Sequence, residues 1–326
     1  MNPTPQDHGA AGAPAPCDAP TPQGRGQRAA AERSALRRRV ATLVGLLEDP
    51  SPSVWNPVRR ELERLGRAAL PKLRRAANHP LPLVRSRARA LLFARGRRQV
   101  LRRLTCFAAQ PEIDLERGLF LLARLERPEL DLRPFLMQLD AYAAEVLRRI
   151  EDTPPTLERS LALVDFLARE QGFTGDREDY HHPDNVHLHR VLEKRRGMPL
   201  SLAAVHQFVG RRAGIRSALV PLPGHVLLRV RGGGKSALID VFHGGEKKSE
   251  RDLLEYLASH NLPFQPSWFR DADDATMFQR QVNNLRNSYA RRGLMREARG
   301  LSTVLAVLDR RAGQLAADAG AAGVSA

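Results

Sequence analysis

Apolar residues recur at helical spacing along most of this chain, and one short region breaks into strand-like runs. Between Arg196 and Gly214, Leu202, Val205, Val209 and Ala213 recur three and four apart, which predicts one buried face of a helix ended by Gly214. Apolar runs from Ala218 to Val220, Val226 to Val230 and Ala237 to Val241 follow, the last two separated by the glycines Gly232 to Gly234, and predict an antiparallel hairpin. Upstream, Leu115, Leu119, Leu122 and Leu125, then Leu136, Leu139, Ala143, Val146 and Leu147, predict two helices punctuated by Pro128 and Pro134. Leu157 to Arg169 predicts another, and QGFTGDREDYHHPDN reads as a loop into the hairpin region. Downstream, SERDLLEYLASH predicts a short helix with Ser249 as its cap, and two helices divided near Arg292 and Gly293 follow from about Asp274. The pattern predicts an α+β fold in which a helix packs on a small antiparallel sheet, flanked mainly by α-helices.

Turn geometry decides which side chains meet. With Gly232 and Gly233 as a two-residue turn, His225 lies directly opposite Asp240. Moving the turn to Gly233 and Gly234 leaves both on one face, one diagonal step apart, whereas a three-residue loop sends them to opposite faces. An imidazole beside a carboxylate, facing a helix start, is two thirds of a nucleophile–base–orienter site.

The segments NVHLHRVLEKRRGMPLSL, LPGHVLLRV and LIDVFHGG resemble the SirB-type branch of the transglutaminase-like superfamily, whose members share a papain-like core. The resemblance implies a cysteine at the helix N-terminus, activated by a histidine that an aspartate orients. His225 and Asp240 match the last two positions. Counting back from Gly214 puts Pro199 where the cysteine is expected, and proline suits a first helical position because its missing N–H costs nothing there. The nearest hydroxyl is Ser201, which has two readings: a first-turn serine capping a backbone N–H, or a substitute nucleophile giving its proton to His225. A serine is far less ionised than a thiol, which argues against ordinary transglutaminase or cysteine-protease chemistry. The resemblance further implies a cleft lined by Asn185, Arg196, Gly197, Pro199 and Gly224. The chain departs from the family pattern at Val186, where a small polar residue is usual, and at Val241, which replaces a proline.

Other chemistry is thinly represented. Cys17 lies in a Pro/Ala-rich stretch and Cys106 in an apolar helical segment, where a buried thiol is expected; two cysteines build neither a disulfide nor a zinc framework. The loop histidines His181, His182, His187 and His189 lack the i, i+4 spacing of a zinc helix, so no metal and no cofactor are expected. RGGGKS, from Arg231, precedes a strand rather than a helix and reads as a hairpin turn, not a phosphate loop.

The chain has 326 residues and a formal net charge of +16, with 42% hydrophobic residues, enough for two or three compact units. From Arg33 to Arg103 there are nineteen Lys and Arg against four acidic residues. Within that stretch DPSPSVWNPVRREL, from Asp49, repeats thirty residues on as HPLPLVRSRARALL, from His79, and resembles short HEAT-type repeats. The divisions expected are a disordered tail over 1–30, basic HEAT-like repeats over 31–108, the SirB-type core over 109–262, a hairpin similar to a tetratricopeptide pair over 270–314, and a frayed tail over 315–326. No apolar run is long enough to span a membrane and no signal peptide opens the chain, so a cytoplasmic protein is expected. Three functions follow: a nucleophile-less scaffold that binds a protein partner in the old cleft, a hydrolase or acyl transferase using Ser201, His225 and Asp240, and a nucleic-acid-associated scaffold using the basic face from Arg33 to Arg103.

Overall fold

The computed structural model describes residues 22–324. Most of the expected N-terminal tail, with Cys17, lies outside the described residues, as do 325 and 326. The chain divides into two compact units, Met1–Leu92 and Phe93–Ala326.

The first unit holds α1 (Pro22–Gly45), α2 (Pro52–Leu65), α3 (Leu70–Ala76) and the start of α4 (Pro82–Ala108). α1 begins inside the stretch expected as a tail, because a run rich in Ala, Arg and Gln favours helix once the prolines end. Helices α2 and α4 both open on prolines, thirty residues apart, and Val40, Leu47, Val58, Leu62, Leu73, Val84, Ala88 and Leu91 form a core of their own. The units divide inside α4, where the sequence reading ends the basic repeats at 108. Cys106 is exposed rather than buried, since Val100, Leu104 and Phe107 form the buried stripe of α4 beyond the division.

The second unit is built around one helix. It contains α5 (Leu115–Ala123), α6 (Arg133–Arg149), α7 (Leu157–Val164, continued by a π-turn over Asp165–Glu170), β1 (Thr174–Gly175), α8 (Leu188–Lys194), β2 (Arg196–Gly197) and α9 (Pro199–Arg212). The sheet β3 (Ser217–Leu222), β4 (His225–Gly232), β5 (Lys235–Asp240) and β6 (Glu246–Lys248) follows, antiparallel and in sequence order. α10 (Glu250–Ser259), α11 (Asp274–Arg291) and α12 (Met295–Val324) complete it. Every residue of α9 from Pro199 to Gly210 is buried, not one face alone. Ala203, Ala204 and Gly210 lie between the periodic apolar positions and let α6, α7, α8, α11, β3 and β4 close around it.

The hairpin turn falls at Gly233 and Gly234, with φ of 56° and 74°, so Gly232 pairs with Lys235 and Leu228 with Ile239. Of the alternative registers, this is the diagonal one. Gly232 stays in the strand for a steric reason: a Cβ there would lie 2.1 Å from the carbonyl oxygen of Thr156, which crosses over it.

The C-terminal helices pack on the core as a helical pair. Phe278, Val282 and Leu285 of α11 and Leu301, Val304 and Leu308 of α12 belong to the same core as α9, and Phe278 meets Phe107 edge to face at 5.3 Å. α12 continues to Val324 through the segment expected to fray from 315, whose Ala-rich sequence suits a helix. Among the described residues no helix is long and apolar enough to cross a membrane.

Candidate functional site

His225 is the first residue of β4 and Asp240 the last of β5, so the diagonal register brings them to one end of the sheet. Nε2 of His225 lies 3.0 Å from Oδ2 of Asp240. The two are not aligned for a linear hydrogen bond, and Nε2 is left buried without a good acceptor. A second imidazole completes the group: His243 places Nδ1 2.8 Å from the same Oδ2, and its backbone N–H donates to Oδ1 at 3.2 Å. Asp240 is buried. Burial alone would raise its pKa, but the flanking His225 and His243 outweigh that and hold the carboxyl at about 2.

The surroundings are aromatic and partly cationic. The rings of Phe242, His243 and Tyr256 lie 6.0, 5.9 and 6.1 Å from that of His225. Tyr256 donates its hydroxyl to the carbonyl of Pro223 at 2.7 Å, and Gly224 sits beside it at the β3–β4 turn. Arg280 of α11 donates to the carbonyls of Leu222 and His225, each at 2.8 Å, which clamps the β3–β4 turn; burial lowers its pKa. A cavity of about 200 Å³ opens beside the dyad, walled by Leu222, Leu227, Leu253 and Tyr256, with His243 and Lys248 at its polar side.

The other expected site residues serve the scaffold. Pro199 is the first residue of α9 and is buried. Ser201, fully buried, donates its hydroxyl proton to the carbonyl of Asn185 at 2.7 Å and accepts from Nε2 of Gln281 at 2.7 Å. It therefore neither caps its own helix nor gives its proton to His225. Asn185 is an organiser rather than a cleft wall: its side chain donates to Asp176 and to the carbonyls of Asp179 and Tyr180, while its carbonyl also takes the Met198 N–H at 3.0 Å. Arg196 is exposed, and Gly197 pairs with Gly175 under Val191. Asn185, Arg196, Gly197, Pro199 and Gly224 all stand outside the cavity wall, because that cavity lies between β4, β5, β6 and α10 rather than at the start of α9.

The loop histidines are also scattered. His187 and His189 are buried; His187 faces the Tyr289 hydroxyl at 3.1 Å and His189 lies 3.0 Å from Glu126. Burial brings the pKa of His187 down to about 4. His182 accepts from the Asp184 N–H as a turn cap. The sequence reading missed His243, which the spacing Asp-x-x-His at a strand end could have flagged, and it missed Tyr256, Arg280 and Gln281, which no local pattern signals.

Comparison with known proteins fits this architecture. Residues 133–283 match the transglutaminase-like superfamily. A UPF0162 protein of Xylella fastidiosa is 29% identical over 176 residues, covering 52% of this chain and 63% of its own length. A UPF0162 protein of Pseudomonas aeruginosa is 30% identical over 192 residues, 58% of this chain and 70% of its own, and SirB1 of Salmonella typhimurium is 29% identical over 171 residues, 51% and 62% respectively. The chain belongs to the transglutaminase-like superfamily. Within it, the chain falls in the group of the UPF0162 and SirB1 proteins, and it spans 63% of the length of the Xylella relative. No solved structure matches it.

Proposed function

We propose that this protein is a cytoplasmic, nucleophile-less transglutaminase-like protein that binds a protein partner at the cavity beside His225, Asp240 and His243. The observation that carries this reading is the fate of the hydroxyl nearest the helix tip. Ser201 commits its single proton to the Asn185 carbonyl, and Pro199 occupies the position where the family resemblance expects sulfur. A base and its orienter without a nucleophile cannot begin acyl transfer, yet they leave a polar, partly apolar-walled recess suited to recognition. The test is crosslinking capture from lysate with the wild-type chain and with His225→Ala. Partners lost only in the variant support binding at this cavity; an identical set from both contradicts it.

The charge from Arg33 to Arg103 favours a second reading, contact with nucleic acid through the basic repeats. Binding of generic duplex DNA measured against salt decides it. A steep negative log–log slope supports phosphate contact, and a flat one removes it.

A further inference from the structure

We propose that His225, Asp240 and His243 form a binding site for a divalent transition-metal ion, with two imidazoles and one carboxylate as ligands. The inference rests on the reading of this cavity as a binding site and names what that site would hold.

Three observations carry it. One ring nitrogen from each of His225 and His243 and a carboxylate oxygen of Asp240 all lie within 4.8 Å of one another; Nε2 of His225 stands 3.0 Å and Nδ1 of His243 2.8 Å from Oδ2 of Asp240. Ligand atoms about 2.0–2.2 Å from a shared zinc ion, at angles between octahedral and tetrahedral, stand roughly 2.8–3.6 Å apart, so two edges of the triangle are already at coordination spacing. Secondly, Nε2 of His225 is buried, lies 3.0 Å from Oδ2 and yet forms no aligned hydrogen bond with it. That nitrogen is therefore free to ligate. Thirdly, the cluster opens on the cavity of about 200 Å³, whose walls Leu222, Leu227 and Leu253 lower the local dielectric and whose space leaves coordination positions free.

The charges facing the cluster are compatible with a cation. Lys248 places Nζ 4.0 Å from Oδ2 of Asp240, but it is bonded to Glu246 at 2.7 Å, which balances it. Asp252 is engaged in the cap of α10. Two imidazoles with a carboxylate and open positions select Zn²⁺ or Fe²⁺ over Mg²⁺ and Ca²⁺, which prefer all-oxygen shells. The loop histidines, which lack zinc-helix spacing, contribute nothing to this cluster; the fold of the sheet brings its members together.

The test uses the full chain stripped of metal with a chelator, titrated with Zn²⁺ by calorimetry and with Co²⁺ by visible absorption. One ion per chain is expected, with a Co²⁺ d–d spectrum characteristic of nitrogen and oxygen ligands. His243→Ala, at a partly exposed side chain, should weaken Zn²⁺ binding by at least about 100-fold, the upper end of the loss when a mere outer-shell partner is removed. Asp240→Asn, nearly isosteric, should do the same, while His181→Ala should change nothing; circular dichroism confirms that each variant is folded. Wild-type binding no tighter than that of His243→Ala, or binding lost in His181→Ala and kept in His243→Ala, overturns the proposal. Because no partner protein is present, a negative result here leaves the crosslinking test standing on its own, and the reverse also holds.

Discussion

Ser201 gives its hydroxyl proton to the main-chain oxygen of Asn185, 2.7 Å away, and so ties the first turn of α9 to the loop that precedes α8. The bond is fully buried and joined by Gln281, which donates both to Ser201 Oγ and to the carbonyl of Val186 at 3.0 Å. The hydroxyl nearest the helix tip is thus a fastening between three segments.

Replacing it should cost stability. Ser201→Ala leaves the Gln281 amide one acceptor short in a buried setting, for a loss of about 1–3 kcal/mol. Urea unfolding at neutral pH measures it. A variant as stable as wild type would show that the three-way contact contributes nothing.

Gly175 supports the site from below. A Cβ there would lie 2.4 Å from the ring of Phe242, which meets the His225 ring edge to face. Gly175→Ala should destabilise the protein by about 1–3 kcal/mol through overpacking. It should also move the His225 ring resonances in an NMR spectrum; unchanged resonances would show that Phe242 does not hold the imidazole in place.

Acid should weaken the fold well above the carboxylate range. His187 and His206 are both buried, and burial lowers each pKa from the ordinary 6.5 to about 4. The unfolded chain therefore takes up protons first as pH falls below 6.5, and the stability carried by the neutral rings is lost between there and about 4. The slope is at most about 1.4 kcal/mol per pH unit for each ring. Unfolding free energies should be flat above pH 7.5 and decline below 6.5, and His206→Leu should make the decline shallower. Asp240, held at about 2, adds its loss only at lower pH.

Part of the positive charge is structural. Arg87 donates to the carbonyls of Leu47, Asp49 and Pro50 and stands 4.7 Å from the Trp55 ring centre. Arg87→Ala should lower the stability of the first unit by about 2–3 kcal/mol, since it removes charge-assisted bonds and a cation–π contact together. Arg87→Lys should recover little, because an ammonium cannot reproduce the fork. Thermal unfolding with tryptophan fluorescence reads both.

The sheet and the pairing of His225 with Asp240 were legible in the sequence because strand periodicity and glycine turns act locally. Which glycines made the turn was not, since the deciding contact is with Thr156, some seventy-five residues earlier. The resemblance likewise located Pro199 and Asn185 but not their roles. Asn185 has its side chain bound by its own loop, and Pro199 is buried at the first turn of α9 by tertiary packing that no local pattern encodes. His243 was signalled only by its place three residues after Asp240, just past the end of β5, where the turn brings its ring back onto the carboxylate.

The proposed binding role requires that His225 and Asp240 have no nucleophile to activate. Intact-mass spectrometry after incubation with a fluorophosphonate and with an activated acyl ester tests this most directly. The wild-type chain should gain no adduct beyond that of Ser201→Ala, whereas a stoichiometric adduct mapped to Ser201 and abolished by His225→Ala would contradict it.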